Sequence, residues 1–197
     1  MRRPTPLLFL LASACASSTP PAEGPKIERT NEALDLSGEW NDVDADAVAQ
    51  AIIVKCLTSP WAQMFAKEAG RKPVVRLAPV RNKTDGYLDY RYFTKQIEAA
   101  LINSGQVEVV SSMEEADAMR DERADQAENA SDETAKSQGL ETAADFLMNG
   151  WIVSQNDEAG GKAVRTYLTS IEVTATESNK KAWVGQHRIK KVLTRSP

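Results

Sequence analysis

The segment Tyr167-Leu168-Thr169-Ser170-Ile171-Glu172-Val173-Thr174-Ala175 carries an apolar, aromatic or β-branched side chain at every second position. A period of two residues is the pattern of a β-strand that buries one of its faces. Two neighbouring stretches alternate in the same way, and turn-forming residues separate the three. The pattern predicts three antiparallel strands at 145–155, 163–176 and 181–193, joined by hairpin loops at 156–161 and 178–180.

A strand–helix–strand unit is predicted upstream of these strands. Residues 73–80 and 107–110 are short and rich in Val, while 90–103 repeat apolar residues at helical spacing. Residues 81–86 between them have the composition of a polar loop. Two strands separated by a helix favour a parallel crossover. We therefore expect an α/β (α+β) single domain with a mixed sheet of about five strands flanked by helices, its last three strands antiparallel.

Cap residues and apolar spacing predict further helices. Asp42 is a suitable N-cap, Ser59-Pro60 begins a second helix and Gly70 ends it. Cys56 falls on the apolar face of the first helix, which indicates a buried structural thiol. A later stretch, 114–145, is strongly acidic and is expected to be solvated. The predicted helices lie at about 42–57, 59–69, 114–124 and 131–139.

The N-terminus has the features of an exported lipoprotein. Arg2 and Arg3 precede an apolar run at 7–12, and the small residues Ala-Ser-Ala lead to Cys15. A small-residue site that ends in Cys resembles the bacterial lipobox, where the thiol is acylated and the chain is cut before it. An ordinary secretory signal cut near Ala14 is the alternative. We expect a lipoprotein signal peptide at 1–14, lipidated Cys15 with a disordered tether at 15–35, and a folded domain at 36–197.

Composition and motifs limit the chemistry. The 197 residues carry a formal net charge of −4, which does not favour nucleic-acid binding. A single His and no Cys–His cluster argue against a zinc site. Asp42, Asp44 and Asp46 resemble the start of a calcium loop, but Ala47 and Ile53 replace the required Gly and Glu. Without a phosphate-binding loop or a nucleophile motif, we expect no enzymatic activity, no cofactor and no metal.

The last predicted strand is basic, and two interpretations of it stay open. Lysines on a solvated edge strand discourage unwanted pairing with other sheets. Alternatively, the charges bind an acidic partner or an anionic polymer such as peptidoglycan. The residues concerned are His187, Arg188, Lys190, Lys191 and Arg195.

Seven ordered blocks resemble one known family. The series opens with Leu36-Ser37-Gly38-Glu39-Trp40-Asn41-Asp42 and closes with Trp183-Val184-Gly185-Gln186. The blocks between them lie at 59–61, 70–75, 100–105, 120–126 and 143–146. Through these blocks the chain resembles the LpoB-type penicillin-binding-protein activators, outer-membrane lipoproteins of the bacterial cell envelope.

The resemblance implies a periplasmic domain with a fold like the N-terminal domain of TolB. It also implies binding to a class A penicillin-binding protein, with stimulation of peptidoglycan synthesis, and anchoring in the cell outer membrane. Ala16 replaces the Asp that marks retention in the inner membrane. A monomer is expected. Because the tether is short for crossing the periplasm, a CsgG-like accessory lipoprotein for envelope assembly or secretion is the alternative.

A partner-binding surface is predicted where the first parallel strand ends. Crevices at the carboxyl ends of parallel strands commonly bind ligands. The residues predicted to contact the partner are Arg81, Asn82, Lys83 and Tyr87. A purely structural loop is the alternative at this position.

Overall fold

The computed structural model describes residues 30, 32, 34 and 37–194, and its helices and strands lie between residues 42 and 194. The predicted signal peptide and Cys15 lie outside the described residues, as does most of the predicted tether. The helices are α1 (Asp42–Thr58), α2 (Trp61–Ala69), α3 (Tyr90–Ser104) and α4 (Met113–Asn129). The strands are β1 (Val74–Leu77), β2 (Arg81–Lys83), β3 (Glu108–Val110), β4 (Phe146–Ala159), β5 (Lys162–Ala175) and β6 (Lys181–Thr194).

The strands form one mixed sheet in the order β3-β1-β4-β5-β6, and β2 pairs with β4. Strand β1 runs parallel to both β3 and β4, as the predicted crossover through α3 requires. Strands β4, β5 and β6 are antiparallel. The predicted fold class, with its mixed sheet and antiparallel last three strands, is therefore confirmed, although the described sheet has six strands. The likeness to TolB stays a prediction.

The additional strand is β2, which lies within the predicted polar loop. Arg81, Asn82 and Lys83 pair in parallel with residues 151–153 of β4. Strand β1 covers only residues 146–148 of the same β4 edge, so the backbone groups beyond it need another partner. A pairing of this kind overrides the weak strand propensity of these three polar residues.

The hairpin between β4 and β5 is longer than predicted. Each strand has 14 residues, and the pairing continues to Ala159 and Lys162. Gly160 and Gly161 form the turn, with φ angles of +57° and +76°. Positive φ at both central residues is the geometry of a tight two-residue hairpin, which glycine adopts without steric cost.

The core lies between helices α1–α3 and one face of the sheet. Phe93 and Leu101 of α3 and Ile52 of α1 are fully or almost fully buried against strand residues. Trp61 and Phe65 of α2 both meet Phe146 edge-to-face, with ring centroids 5.2 Å apart. Cys56 is buried in this core, as expected from its helical face.

Three helix predictions differ from the structure. Helix α4 continues to Asn129, beyond its predicted end at about 124. Asn41, not Asp42, caps α1: its side chain accepts a hydrogen bond from the Asp44 amide, and the Asp44 carboxylate accepts one from the Asn41 amide. The predicted helix at 131–139 is wrong, because the chain there makes one turn at Ser131 and continues exposed. That segment has no apolar stripe to bury, and packing is what stabilises short helices.

Candidate docking site

The helices α1–α3 cover only one face of the sheet, and the strand register defines the opposite face. Its central part consists of three rows of directly opposed residues that run across the strands. We call these rows the basic face. They are Arg81–Trp151–Ser170–Gln186, Lys83–Val153–Leu168–Arg188 and Gln155–Thr166–Lys190.

The basic face has an apolar centre between two cationic edges. Trp151, Val153 and Leu168 are half-buried in the middle strands, while the four cations on the outer strands β2 and β6 are exposed. Neighbouring strands lie about 4.8 Å apart, so β2 and β6 are about 14 Å apart across β4 and β5. The arrangement suits contact with a broad surface and not with a small molecule in a cavity.

The structure separates the four residues that were predicted to contact a partner. Arg81 and Lys83 lie on the basic face, whereas Asn82 lies on the other side of β2. The Asn82 side chain holds the following turn: it accepts from the Thr84 amide at 2.8 Å and donates to the Gly86 carbonyl at 2.9 Å. Tyr87 is 89% exposed just after that turn. Asn82 therefore has a structural role, and the other three side chains are free to meet solvent or a partner.

Asp85 fixes this turn against the sheet. Its carboxylate accepts hydrogen bonds from Ser154 Oγ at 2.7 Å, Asn156 Nδ2 at 2.9 Å and Arg165 Nη2 at 2.7 Å. The hydrogen bonds from Ser154 and Arg165 lower the pKa of Asp85 to about 2. The carboxylate is consequently ionised at neutral pH, and the loop beside β2 is held in one position.

The segment that precedes α1 joins the same network on the helix-covered side. Arg165 also pairs with Glu39, and the Tyr167 hydroxyl donates to the Gly38 carbonyl at 3.3 Å. Lys191 donates to the Glu39 carbonyl at 2.8 Å. The residues that follow the predicted tether are thus attached to β5 and β6.

The prediction that Lys191 is solvated is wrong. The side chain is buried, and its ammonium pairs with the Asp44 carboxylate at 2.6 Å. The alternation along β6 places Lys191 on the helix-covered side together with half-buried His187, and Arg188 and Lys190 on the basic face. Burial and the nearby Lys55 ammonium lower the pKa of His187. The basic strand therefore divides between the two sides of the sheet.

The cations of both edges are recognisable in the sequence, but nothing in the sequence connects them. Arg81 and Lys83 are about a hundred positions from Arg188 and Lys190, and only the register of four strands brings them into shared rows. Trp151 was missed as a site residue. The signal for Trp151 is the alternation of side chains along β4. Its neighbours Gly150 and Ile152 face the core, so Trp151 must lie on the other face of the sheet.

A concave region lies between α3 and α4, away from the basic face. This groove has a volume of about 450 Å³ and is lined by residues that include Leu77, Tyr90 and Glu115. Lys95 crosses it and pairs with both Glu98 and Glu115 at 2.7 Å. The charges of Lys95, Glu98 and Glu115 are consequently balanced within the domain.

The described residues provide neither a metal centre nor a membrane span. Within 37–194 and the three isolated positions, no group of three or more His, Cys, Asp or Glu side chains could hold a metal ion. In the same part of the chain, no helix has the length and apolarity needed to cross a bilayer. The buried Cys56 thiol, whose pKa burial raises to about 11, is a poor nucleophile.

Comparisons with known proteins identify one family. A protein-family model described as the peptidoglycan-synthase activator LpoB matches residues 44–189. No curated protein sequence matches the chain significantly.

Solved structures of LpoB resemble the chain at low identity. The C-terminal domain of LpoB from Salmonella enterica is 16% identical, with a TM-score of 0.44, and the match covers 75% of this chain and 99% of that domain. For the C-terminal domain from Escherichia coli the identity is 15% and the TM-score 0.40, with 73% and 98% covered. The solution structure of Escherichia coli LpoB is 14% identical, with a TM-score of 0.43, and 96% and 90% are covered.

Proposed function

Because the chain belongs to the family of the peptidoglycan-synthase activator LpoB, we propose that it is an outer-membrane lipoprotein that binds and activates a class A penicillin-binding protein. The observation that carries this proposal is the family match, which extends from the first turn of α1 into β6. LpoB is a regulator and not an enzyme. We propose that the chain likewise acts by binding, and that it does so as a monomer and without a cofactor.

The physical requirement for such activation is a difference in affinity. A protein that docks on a synthase shifts it towards an active state only when it binds that state more tightly than the resting one. A rigid domain with a broad, exposed charged surface can supply such a difference. The basic face and its anchored β2 loop have these properties, and Arg81, Lys83 and Tyr87 remain our proposed partner contacts on this loop.

The proposed domain organisation places this domain near a membrane surface. A signal peptide at 1–14 is removed, Cys15 is acylated and inserted in the outer membrane, and residues up to 35 form the tether of the periplasmic domain. About 20 extended residues reach at most about 70 Å. The proposal therefore requires the synthase to approach the outer membrane to within about that distance plus the size of the domain.

A reconstituted synthesis assay tests the function. The purified protein is added to the class A synthases of the same organism in detergent, and the rate of glycan polymerisation is followed together with binding. We expect a specific increase in rate with one synthase. Absence of both binding and stimulation would favour an assembly or secretion accessory, and release of soluble muropeptides by the protein alone would indicate an enzyme.

A separate experiment tests the anchor. Cells that express the unaltered chain or Cys15→Ser are labelled with a radioactive fatty acid and fractionated. We expect label and outer-membrane location for the unaltered chain and loss of both for the variant. An unlabelled mature protein that still fractionates with the outer membrane contradicts acylation at Cys15.

A further inference from the structure

We propose that the basic face is the surface that receives the synthase, and that the synthase presents to it an acidic rim around an apolar centre. This inference rests on the function proposed above and adds the location and chemistry of the contact. It is carried by the charge, the exposure and the register of the residues in the three rows.

The charge of the basic face is opposite to that of the chain. The whole sequence has 24 basic and 28 acidic residues. The three rows nevertheless contain four cations and no carboxylate. Concentrating like charges on one side of a sheet costs stability through their mutual repulsion and is useful when an acidic surface approaches.

The cations of the basic face also lack the ion pairs that the domain provides elsewhere. Arg71 pairs with Asp145, Arg120 with Glu141 and Lys181 with Glu172, each at 2.7–2.8 Å. Among the described residues, by contrast, no hydrogen bond or ion pair engages the side chains of the four cations of the basic face, which are Arg81, Lys83, Arg188 and Lys190. Their charges are available to groups outside the domain.

The middle row shows the match to a protein interface most directly. Lys83 and Arg188 lie at the two ends of this row, on strands about 14 Å apart, and Val153 and Leu168 lie between them. Protein interfaces have an apolar core surrounded by a polar rim. Val184 and Val192, exposed by 48% and 65%, follow on the same side of β6. Their rows also contain one carboxylate each, Glu172, which pairs with Lys181, and Asp157, so the basic face ends at these two rows.

The same features argue against two other occupants. A second copy of the chain would bring two cationic rims together, and like charges across an interface are unfavourable. A lipid surface would engage the four cations through its anionic headgroups, but it would make little use of the centre of the face. Trp151, Val153 and Leu168 there are half-buried between the strands, which suits contact with a complementary protein surface better than insertion between lipids. An acidic protein surface is the occupant that fits both the charge and the shape.

Charge reversal at each edge tests the inference. The mature chain with Cys15→Ser, which has no acyl group, is compared with two further forms: Arg81→Glu with Lys83→Glu, and Arg188→Glu with Lys190→Glu. A matched control carries Lys67→Glu with Lys72→Glu, two exposed positions outside the basic face that give the same change of net charge. Dissociation constants for the synthase are measured at several salt concentrations.

We expect each reversal at the basic face to weaken synthase binding by about tenfold or more, and the control to change it by less than about twofold. Affinity of the unreversed chain should fall as salt rises. The neutral double variant Arg188→Gln with Lys190→Gln adds no repulsion, so it should lose less synthase affinity than the reversed form. It also serves as the test if a reversed form does not fold.

Three results overturn the inference. If the unreversed chain stimulates the synthase and the reversed forms bind it equally well, the function stands and this surface is wrong. If the unreversed chain neither binds nor stimulates, both proposals fail. If the reversals abolish binding only to vesicles of phosphatidylethanolamine and phosphatidylglycerol, the basic face serves a lipid surface.

Discussion

Lys191 Nζ lies 2.6 Å from Asp44 Oδ2, and this buried ion pair joins the last strand of the domain to its first helix. Both side chains are more than nine-tenths buried. Asp44 belongs to the capping box of α1, and Lys191 also bonds to the carbonyl of Glu39. One pair therefore stabilises the start of α1, the segment before it and the edge strand β6.

Removing the cation of this pair should be strongly destabilising. Lys191→Met leaves the Asp44 carboxylate buried without its counter-ion, and such losses cost about 3–5 kcal/mol. Urea unfolding followed by circular dichroism measures the change. Combining Lys191→Met with Asp44→Asn should recover part of the stability, because the uncompensated charge is then absent. Equal stability of the single variant and the unaltered chain contradicts the importance of the pair.

Gly150 is the position in β4 where a side chain cannot be added without moving the backbone. A Cβ there would lie 2.4 Å from the Ser170 carbonyl oxygen of β5. We expect Gly150→Ala to lower the free energy of unfolding by about 1–3 kcal/mol.

Gly185→Ala in β6 is the matched control for Gly150→Ala. Its Cβ would meet the ring of Trp183, a half-buried side chain at the edge of the core, and not the backbone of a neighbouring strand. A smaller change in the urea midpoint is therefore expected for this variant. A larger loss for Gly185→Ala than for Gly150→Ala would contradict this account of the packing.

The Cys56 thiol should react slowly in the folded protein. It is 2% exposed, and burial raises its pKa to about 11, so that little thiolate forms at neutral pH. Modification by Ellman's reagent should become fast only in denaturant. Cys56→Ala is the control that assigns the signal, and fast reaction of the native thiol would show that this side of α1 opens.

Acid should weaken the link between α3 and the start of α4. The hydrogen bond from Lys95, followed by that from the Ser112 amide, lowers the pKa of Glu115 to about 2 from an ordinary value of 4.5. A lowered carboxyl pKa contributes stability above pH 4.5 that is lost as the pH falls through 2.

Glu115→Gln tests this pH dependence. Because the pair is partly exposed, the variant should lose about 1 kcal/mol or less at neutral pH. The unfolding free energy of the variant should then fall less steeply between about pH 5 and pH 2 than that of the unaltered chain. Parallel pH profiles for the two proteins contradict this role of Glu115.

The long strands could be predicted because a strand that buries one face of its sheet needs an apolar side chain at every second residue. Tyr167, Ile171 and Val173 lie on the buried side of β5, and Leu168 and Glu172 on its other side are half-buried, although Ser170 on that side is buried as well. Strand β2 could not be predicted in this way. Arg81, Asn82 and Lys83 form a strand because β4 has an unpaired edge at 151–153, and that edge exists only in the folded sheet.

The candidate site, like the fold, could be predicted only in part. Polarity alone placed Lys191 with the solvated residues, although its position in β6 alternates with those of Lys190 and Val192, both exposed. Its burial depends on the presence of Asp44 at the start of α1, 147 positions earlier. The pairing of distant charges is a tertiary property, so sequence pattern could identify the cations but not distribute them between the two faces.

The contact between α1 and β6 also bears on when the domain can fold. Because Asp44 lies in the first helix and Lys191 in the strand β6, the chain must be synthesised through Lys191 before the two can meet. Contacts between distant parts of a chain slow folding. Until Lys191 has left the ribosome, the Asp44 carboxylate has no counter-ion to pair with, so α1 cannot reach its final packing during the earlier part of synthesis.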